Sequence, residues 1–253
     1  MIAADGPDGV RTLTLNRPQA RNALATPLLV EVADALDAAA SDERVRCAVV
    51  TGGPEIFAAG ADINEIAGKD ALAALADPRA AVWARIRAFP KPLLAAVEGL
   101  CLGGGHELAL CADIVVAGAG AKFGQPEINL GIIPGAGGTQ MIPRIAGKSV
   151  AMKMILAGEW LSAEEARACG LCAEVVESGK ALARAHELAA KVAQKSPLAL
   201  RLAKEAVLRA YETALAEGLA QERKSFALLC GSADKREGIA AFKEKRAPQF
   251  KGR

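Results

Sequence analysis

Two glutamates, Glu107 and Glu127, stand in stretches of the sequence that are otherwise apolar or rich in glycine. Glu107 directly follows the Gly-Gly-Gly-His run, and Glu127 lies between Pro126 and Ile128. A buried carboxylate without a partner is costly, so this placement favours a chemical role. Two carboxylates that meet in one apolar pocket can hold and polarise a water molecule, and they can give and take protons. General acid–base catalysis is therefore the expected chemistry.

The glycine triplet Gly103–Gly105 precedes a run that predicts a helix from about His106. Glycine lets the backbone approach a ligand closely, and the first N–H groups of a helix lack intrahelical acceptors, which suits a bound oxyanion. The loop "FAAGADI", Phe57–Ile63, could aim N–H groups at the same ligand. A tight strand–helix connection would also explain the triplet, and the helix dipole alone favours Glu107 in a first turn. Both structural interpretations stay open at this point.

Composition excludes several classes of protein. The chain has 253 residues, of which 52% are hydrophobic, and its formal net charge is +2. No segment approaches the ~18 uncharged apolar residues of a membrane span. The first residues lack the basic and apolar pattern of a secretion signal. We expect a cytoplasmic protein that contacts neither membrane nor nucleic acid, with its six cysteines as free buried thiols.

A metal site is not expected. The segments beginning at His106 and His186 start like a zinc-protease helix, but Leu110 and Ala190 stand where the second histidine would be. The chain contains two histidines in all.

Alternating patterns predict an α/β fold with mainly buried strands. Strands are expected at "GVRTLTLNRP", "VRCAVVTGG", "PLLAAVEG" and "DIVVAG", with helices between them. Thr26 followed by Pro27 predicts a helix start with Thr26 as its N-cap. The sequence after about Pro197 shows almost only helical patterns, so we expect a core over residues 1–195 and an all-helical region over 196–253.

Six motifs carry a family resemblance. The stretches "LNRPQARNAL", "FAAGADI", "GGGHELALCADI", "FGQPEINLGIIPGAGGTQ", "AMKMILAGE" and "GIAAFKEKRAPQF" occur in this order across nearly the whole chain. In them the chain resembles the enoyl-CoA hydratase/isomerase (crotonase) family. The resemblance implies a spiral of ββα units, a C-terminal helical region for oligomerisation, and a homotrimer or a hexamer made of two trimers. It also implies a coenzyme A thioester substrate and no further cofactor.

Site residues follow from the resemblance position by position. Ala61 and Gly104 match the backbone donors of the family's oxyanion hole, and Glu107 and Glu127 match the two catalytic glutamates of the hydratases. The other positions implied to contact substrate or coenzyme are Ala20, Ala59, Asp62, Ile63, Asn64, Phe226 and Lys245. Asn64 departs from the lysine that many hydratases have there, which removes a cation facing phosphate.

The implied reaction is reversible syn addition of water to a trans-2-enoyl-CoA, giving a 3-hydroxyacyl-CoA. Further likeness in "FAAGADINEIAGKD" and the C-terminal segment is to family members that hydrate 2,3-dehydroadipyl-CoA in phenylacetate degradation. Such a substrate ends in a carboxylate, for which Lys69, Arg79, Arg85 and Arg87 are candidate partners. The alternatives are a general short-chain hydratase of fatty-acid oxidation, a Δ3-Δ2 isomerase, a thioester hydrolase, and an RNA-binding protein that uses its basic C-terminal tail.

Overall fold

The protein has a mixed α/β fold, seen in a computed structural model that describes residues 1–6 and 8–253. Its strands are β1 (Ile2–Asp5), β2 (Val10–Thr14), β3 (Cys47–Thr51), β4 (Leu93–Val97), β5 (Leu100–Leu102), β6 (Ile114–Gly118), β7 (Lys122–Gly124), β8 (Leu161–Ser162) and β9 (Glu174–Val176). One sheet has six strands in the order β1-β2-β3-β4-β6-β9, and a smaller sheet has the order β5-β7-β8. In the large sheet β1 is antiparallel to β2, and the other neighbours are parallel.

Helices follow the strands in a repeating pattern. They are α1 (Thr26–Ser41), α2 (Ile63–Ala67), α3 (Ala71–Leu75), α4 (Arg79–Arg87), α5 (Gly104–Leu110), α6 (Gly138–Leu156), α7 (Ala163–Ala168), α8 (Ala181–Ala193), α9 (Pro197–Arg209), α10 (Leu215–Cys230) and α11 (Ala233–Glu244). The run β4, β5, α5 puts one strand in each sheet before its helix, and β6, β7, α6 repeats this arrangement. The predicted succession of ββα units is confirmed.

The small sheet gathers the expected site residues. Strand β5 is parallel to β7, and Ala58 pairs in parallel with Cys101 on the other side of β5. Ala61, Gly104 and Glu127 each lie two or three residues beyond one of these three paired segments. Because parallel segments end at the same edge of a sheet, the topology delivers all three residues to one place.

Both faces of the large sheet are covered, which explains its continuous apolar strands. Within β3, Cys47 and Val49 pack towards α8, whereas Ala48 and Val50 pack into the main core. Helix α8 meets the sheet through an alanine stripe at Ala181, Ala185, Ala189 and Ala193. Such small side chains let the helix lie close to the sheet.

Two expectations were wrong in detail. Thr26 is the first residue of α1 and Ala25 is its N-cap. The N–H and hydroxyl groups of Thr26 donate to Oε2 of Glu65, at 2.9 and 2.6 Å. A carboxylate from a distant segment therefore caps the helix instead. The six cysteines are free, but they are not all buried, because Cys230 ends α10 and is exposed.

Helix α5 begins at Gly104, two residues before the expected start, so the middle glycine belongs to its first turn. The C-terminal helices expose large apolar side chains, including Leu215 (79% exposed) and Phe242 (85%). Among the described residues, no helix has the length and apolar character needed to cross a membrane.

Candidate active site

Glu107 is held by backbone donors. It lies in the first turn of α5 and is buried, and its Oε1 accepts hydrogen bonds from the N–H groups of Ala136 (2.7 Å) and Gly138 (2.8 Å). Burial raises the pKa of Glu107, while those two N–H groups and the charge of Arg87 act in the opposite direction. Its Oε2 makes no hydrogen bond with the described residues and is not fully buried. One oxygen is therefore anchored and the other is available to a ligand.

Glu127 occupies a short 3-10 helix, Pro126–Leu130, just beyond β7. Burial raises the pKa of its carboxyl group to about 7, and the negative charge of Glu107 contributes to the rise. A Cβ atom on Gly103 would lie 2.8 Å from Oε1 of Glu127, and Gly103 has a φ of 49°. Glycine suits this position for two reasons: it adopts a positive φ readily, and its missing side chain leaves room for the carboxylate.

Gln125 is fully buried beside Glu127. One terminal atom of its amide lies 3.1 Å from both carboxyl oxygens of Glu127, and we assign that atom as the nitrogen, because an oxygen there would face two acceptors whenever Glu127 is ionised. The other terminal atom is then the oxygen, and it lies 3.4 Å from Nδ1 of His106. A Cβ atom on Gly138 would lie 2.8 Å from this amide. Gly138 thus serves both acids, by donating its N–H to Glu107 and by leaving space for Gln125.

Two backbone N–H groups lie close together at the edge of the small sheet. A Cβ atom built on Gly104 would be 3.3 Å from the nitrogen of Ala61. Among the loop and turn hydrogen bonds of the described residues, neither N–H has an acceptor. The residues on either side of Ala61, Gly60 and Asp62, both form hydrogen bonds with Leu24. Both groups are therefore free to donate to a ligand.

The loop that carries Ala61 is fastened at both ends. Asn22 donates its side-chain N–H groups to the carbonyls of Gly52 (2.9 Å), Ile56 and Phe57 (3.1 Å each). Asp62 caps α2 and pairs with Arg17 at 2.7 Å. These contacts hold the chain on both sides of Ala61.

Comparisons with known proteins agree along the whole chain. The enoyl-CoA hydratase/isomerase family profile matches residues 5–253. The chain belongs to the enoyl-CoA hydratase/isomerase family. It is 54% identical to the 2,3-dehydroadipyl-CoA hydratase of Escherichia coli, over 96% of each chain. It is 42% identical to the mitochondrial enoyl-CoA hydratase of Pongo abelii, over 96% of this chain and 83% of that one. A crystal structure of an enoyl-CoA hydratase from Bacillus anthracis superposes with a TM-score of 0.94 at 36% identity, covering 100% of this chain and 99% of that chain.

The remaining positions implied by the family resemblance fall into two groups. Ala20, Ala59, Ile63 and Asn64 are half-buried or exposed and belong to the segments around the Ala61 loop, where Ala59 donates to the carbonyl of Arg21. Phe226 is 67% exposed on α10, and Lys245 follows α11. Neither of these helices packs extensively on the elements that carry the two glutamates. One chain therefore does not bring this second group to the site.

Three of the four candidate cations already have carboxylate partners. Lys69 and Arg79 both pair with Asp77, at 2.5 and 2.8 Å, and Arg85 pairs with Asp34 and Asp37 at 2.6 Å each. Arg87 has no acidic partner among the described residues and donates to the carbonyl of Ala136 at 3.0 Å. The N–H of that same residue holds Glu107, so Arg87 is the candidate that lies next to the site.

Sequence reasoning missed Gln125, His106 and the role of Gly103. The available signal was a glutamine two residues before Glu127 in an apolar stretch. Its partner on α5, His106, is brought close only by the fold. In the part of the chain that is described, no cluster of three or more His, Cys, Asp or Glu side chains could hold a metal ion.

Proposed function

We propose that this protein is an enoyl-CoA hydratase that acts on 2,3-dehydroadipyl-CoA. The observation that carries the proposal is the meeting of two dissimilar carboxylates with two free N–H groups at one sheet edge. An isomerase needs one acid, whereas addition of water uses both a proton acceptor and a proton donor. The choice of acyl group is supported by the 54% identity to the Escherichia coli hydratase named for that substrate.

In the proposed mechanism the thioester oxygen accepts hydrogen bonds from the N–H groups of Ala61 and Gly104. Water is held between Glu107 and Glu127 and adds to C3, and Glu107 takes its proton through the free Oε2. The negative charge that forms on the thioester oxygen is stabilised by the two N–H groups. Glu127 donates a proton to C2 and restores the carbonyl. Proton transfer from Glu107 back to Glu127, directly or through solvent, completes the cycle.

The proposed division of roles follows the two environments. A pKa of about 7 leaves Glu127 protonated in a large fraction of molecules near neutral pH, as a proton donor requires. Burial raises the pKa of Glu107, but two N–H groups on one oxygen oppose this rise and favour the charged form that a base requires. The reaction in this form uses no cofactor beyond the coenzyme A of the substrate.

The substrate test compares 2,3-dehydroadipyl-CoA with hexenoyl-CoA, which has the same chain length without the terminal carboxylate. Loss of the conjugated thioester is followed spectrophotometrically, and the masses of the products are measured by mass spectrometry. We expect a 3-hydroxyacyl-CoA product and a higher kcat/KM for the dicarboxylic substrate. Equal kcat/KM values would leave a general short-chain hydratase, and free coenzyme A would indicate a hydrolase.

The oxyanion hole has its own test. Gly104→Pro removes one N–H at the first position of α5, where proline is tolerated in helices. We expect a loss of at least about 10²–10³ in kcat, as for other single oxyanion donors, and a further loss if the added ring atoms, with Cβ 3.3 Å from the nitrogen of Ala61, displace that loop. Full activity in a folded Gly104→Pro variant would place the oxyanion elsewhere.

The same proposal assigns residues 1–195 to catalysis and 196–253 to subunit contacts and the coenzyme, with Phe226 and Lys245 acting on a neighbouring subunit's substrate. Exposed apolar side chains on α10 and α11 support association, into a homotrimer or two stacked trimers. Sedimentation equilibrium measures the mass, and a monomer at micromolar concentration would contradict it. We further propose a cytoplasmic protein without nucleic-acid partners, in which Arg246 of the basic tail is already paired with Glu237 and Glu244.

A further inference from the structure

His106 is a buried titratable side chain that the mechanism above does not use. It lies beside Glu107 on α5, is 1% exposed, and packs edge-on against the Phe123 ring. Its Nε2 is the one buried side-chain nitrogen or oxygen of the described residues that lacks a hydrogen-bond partner. Its Nδ1 faces the amide of Gln125 at 3.4 Å.

The surroundings decide which ring nitrogen carries the proton. Burial lowers the pKa of His106 to about 4, although the carbonyl of Gly124 acts in the opposite direction, so the ring is neutral at physiological pH. A proton on Nε2 would bury a donor without an acceptor and would leave the Nδ1 lone pair facing the oxygen of Gln125. A proton on Nδ1 is donated to that oxygen, and only a lone pair stays unmatched. The neutral tautomer with its proton on Nδ1 is therefore favoured.

We propose that His106 is a positioning residue that acts through Gln125 on Glu127. By donating from Nδ1 to the amide oxygen, His106 keeps the amide nitrogen turned towards both oxygens of the Glu127 carboxyl group. With the amide reversed, a protonated Glu127 would donate its proton to the Gln125 oxygen. The direction set by His106 prevents this and leaves the proton of Glu127 free to face the substrate.

The expected effect of His106 on activity rests on the proposed function, whereas the direction of the His106–Gln125 hydrogen bond does not depend on it. The titratable groups that face Glu127 are Glu107 and, through Gln125, His106, while Arg87 acts on Glu107. Two N–H donors favour the charged form of a carboxyl group, so losing them raises its pKa. Removal of the His106 donor should therefore lower kcat and shift the alkaline limb of the hydration profile to higher pH.

The kinetic test is a double-mutant cycle with His106→Phe and Gln125→Met. Each replaces a hydrogen-bonding group with an apolar one of similar size, and each should lower kcat by up to about tenfold, the upper end for one hydrogen bond between neutral groups, with little change in KM. The double variant should lose no more than either single one, because both act on the same contact. His106→Asn places an amide N–H near the position of Nδ1 and should recover most of the activity.

If His106→Phe lowers kcat equally in the parent and in Gln125→Met, His106 acts by another route and the proposal fails. A direct measurement needs no variant of His106. The chain has two histidines, so ¹⁵N-histidine NMR of the parent can be assigned with His186→Gln. We expect His106 to be neutral and protonated on Nδ1, and a proton on Nε2 would overturn the proposal. That result stands even if no enoyl-CoA is hydrated, so the two failures are distinguishable.

Discussion

Glu107 lies on a helix and gives one oxygen to the N–H groups of Ala136 and Gly138, whereas Glu127 lies in a single 3-10 turn and contacts the side chain of Gln125. Gly138 is the first residue of α6 and Ala136 lies two residues before it, so both donors are backbone groups whose directions are set by the path of the chain. The Glu127 region depends on an amide that has two possible directions. Its carboxyl pKa rises to about 7. Burial raises the pKa of both carboxyl groups, and the difference shows how one fold gives two similar acids different hydrogen-bond partners.

The largest effects should come from the acids themselves. Glu107→Gln and Glu127→Gln keep size and remove proton transfer, so each should lower kcat by a factor on the order of 10²–10⁴. Steady-state hydration rates measure both. The double variant should lose far less than the product of the two factors, because both acids serve one water molecule. Near-full activity in either single variant would show that one acid suffices.

Gly103→Ala disturbs the Glu127 region without touching either acid. The added methyl group would lie 2.8 Å from Oε1 of Glu127, at a φ of 49° that alanine disfavours. Displacement of a catalytic group by about 1 Å can cost roughly 10²-fold in kcat. Gly53→Ala is the matched control, since its φ is +94° and its surroundings are empty. Equal kinetic losses in the two variants would show that strain, and not Glu127, is responsible.

Arg87→Gln tests the Glu107 region and the substrate together. Its charge acts on Glu107 with either acyl group, so that effect cancels in the ratio of kcat/KM for dehydroadipyl-CoA to hexenoyl-CoA. If Arg87 meets the terminal carboxylate, this ratio should fall about tenfold, as for loss of one charged hydrogen bond. Arg85→Gln, whose guanidinium is occupied by Asp34 and Asp37, should leave the ratio unchanged. An unchanged ratio in both would keep the substrate and discard Arg87 as its partner.

The smallest expected effect is on stability. Burial raises the pKa of Glu127 in the folded protein to about 7 from its ordinary value of 4.5, so the folded protein loses stability as pH rises between these values. Glu127→Gln removes that loss. After allowance for solvent screening, it should stabilise the protein by about 1–2 kcal/mol at pH 8 and hardly at all near pH 4. Thermal unfolding at the two pH values measures the gain, and an equal gain at both would contradict a raised pKa.

Sequence patterns predicted an alternation of buried strands and helices, because continuous apolar runs that end in glycine are local signals, whereas the ββα succession was implied by the family resemblance. They also singled out Glu107 and Glu127, since carboxylates in apolar stretches are unusual. Contacts between distant segments were not predictable from spacing. Glu65 caps α1 in place of Thr26, and Asp77 forms ion pairs with Lys69 and Arg79, two of the four candidate partners for the substrate carboxylate. The amide of Gln125 takes its meaning from His106, which only the fold brings near.

The most direct test of the account is the product formed from 2,3-dehydroadipyl-CoA in water enriched in heavy oxygen. We predict one product, a 3-hydroxyadipyl-CoA with one labelled oxygen on C3, formed by the parent and at most slowly by Glu107→Gln and Glu127→Gln. Label in a free carboxylic acid together with released coenzyme A, or an unlabelled product of unchanged mass, would contradict hydration by the acid pair.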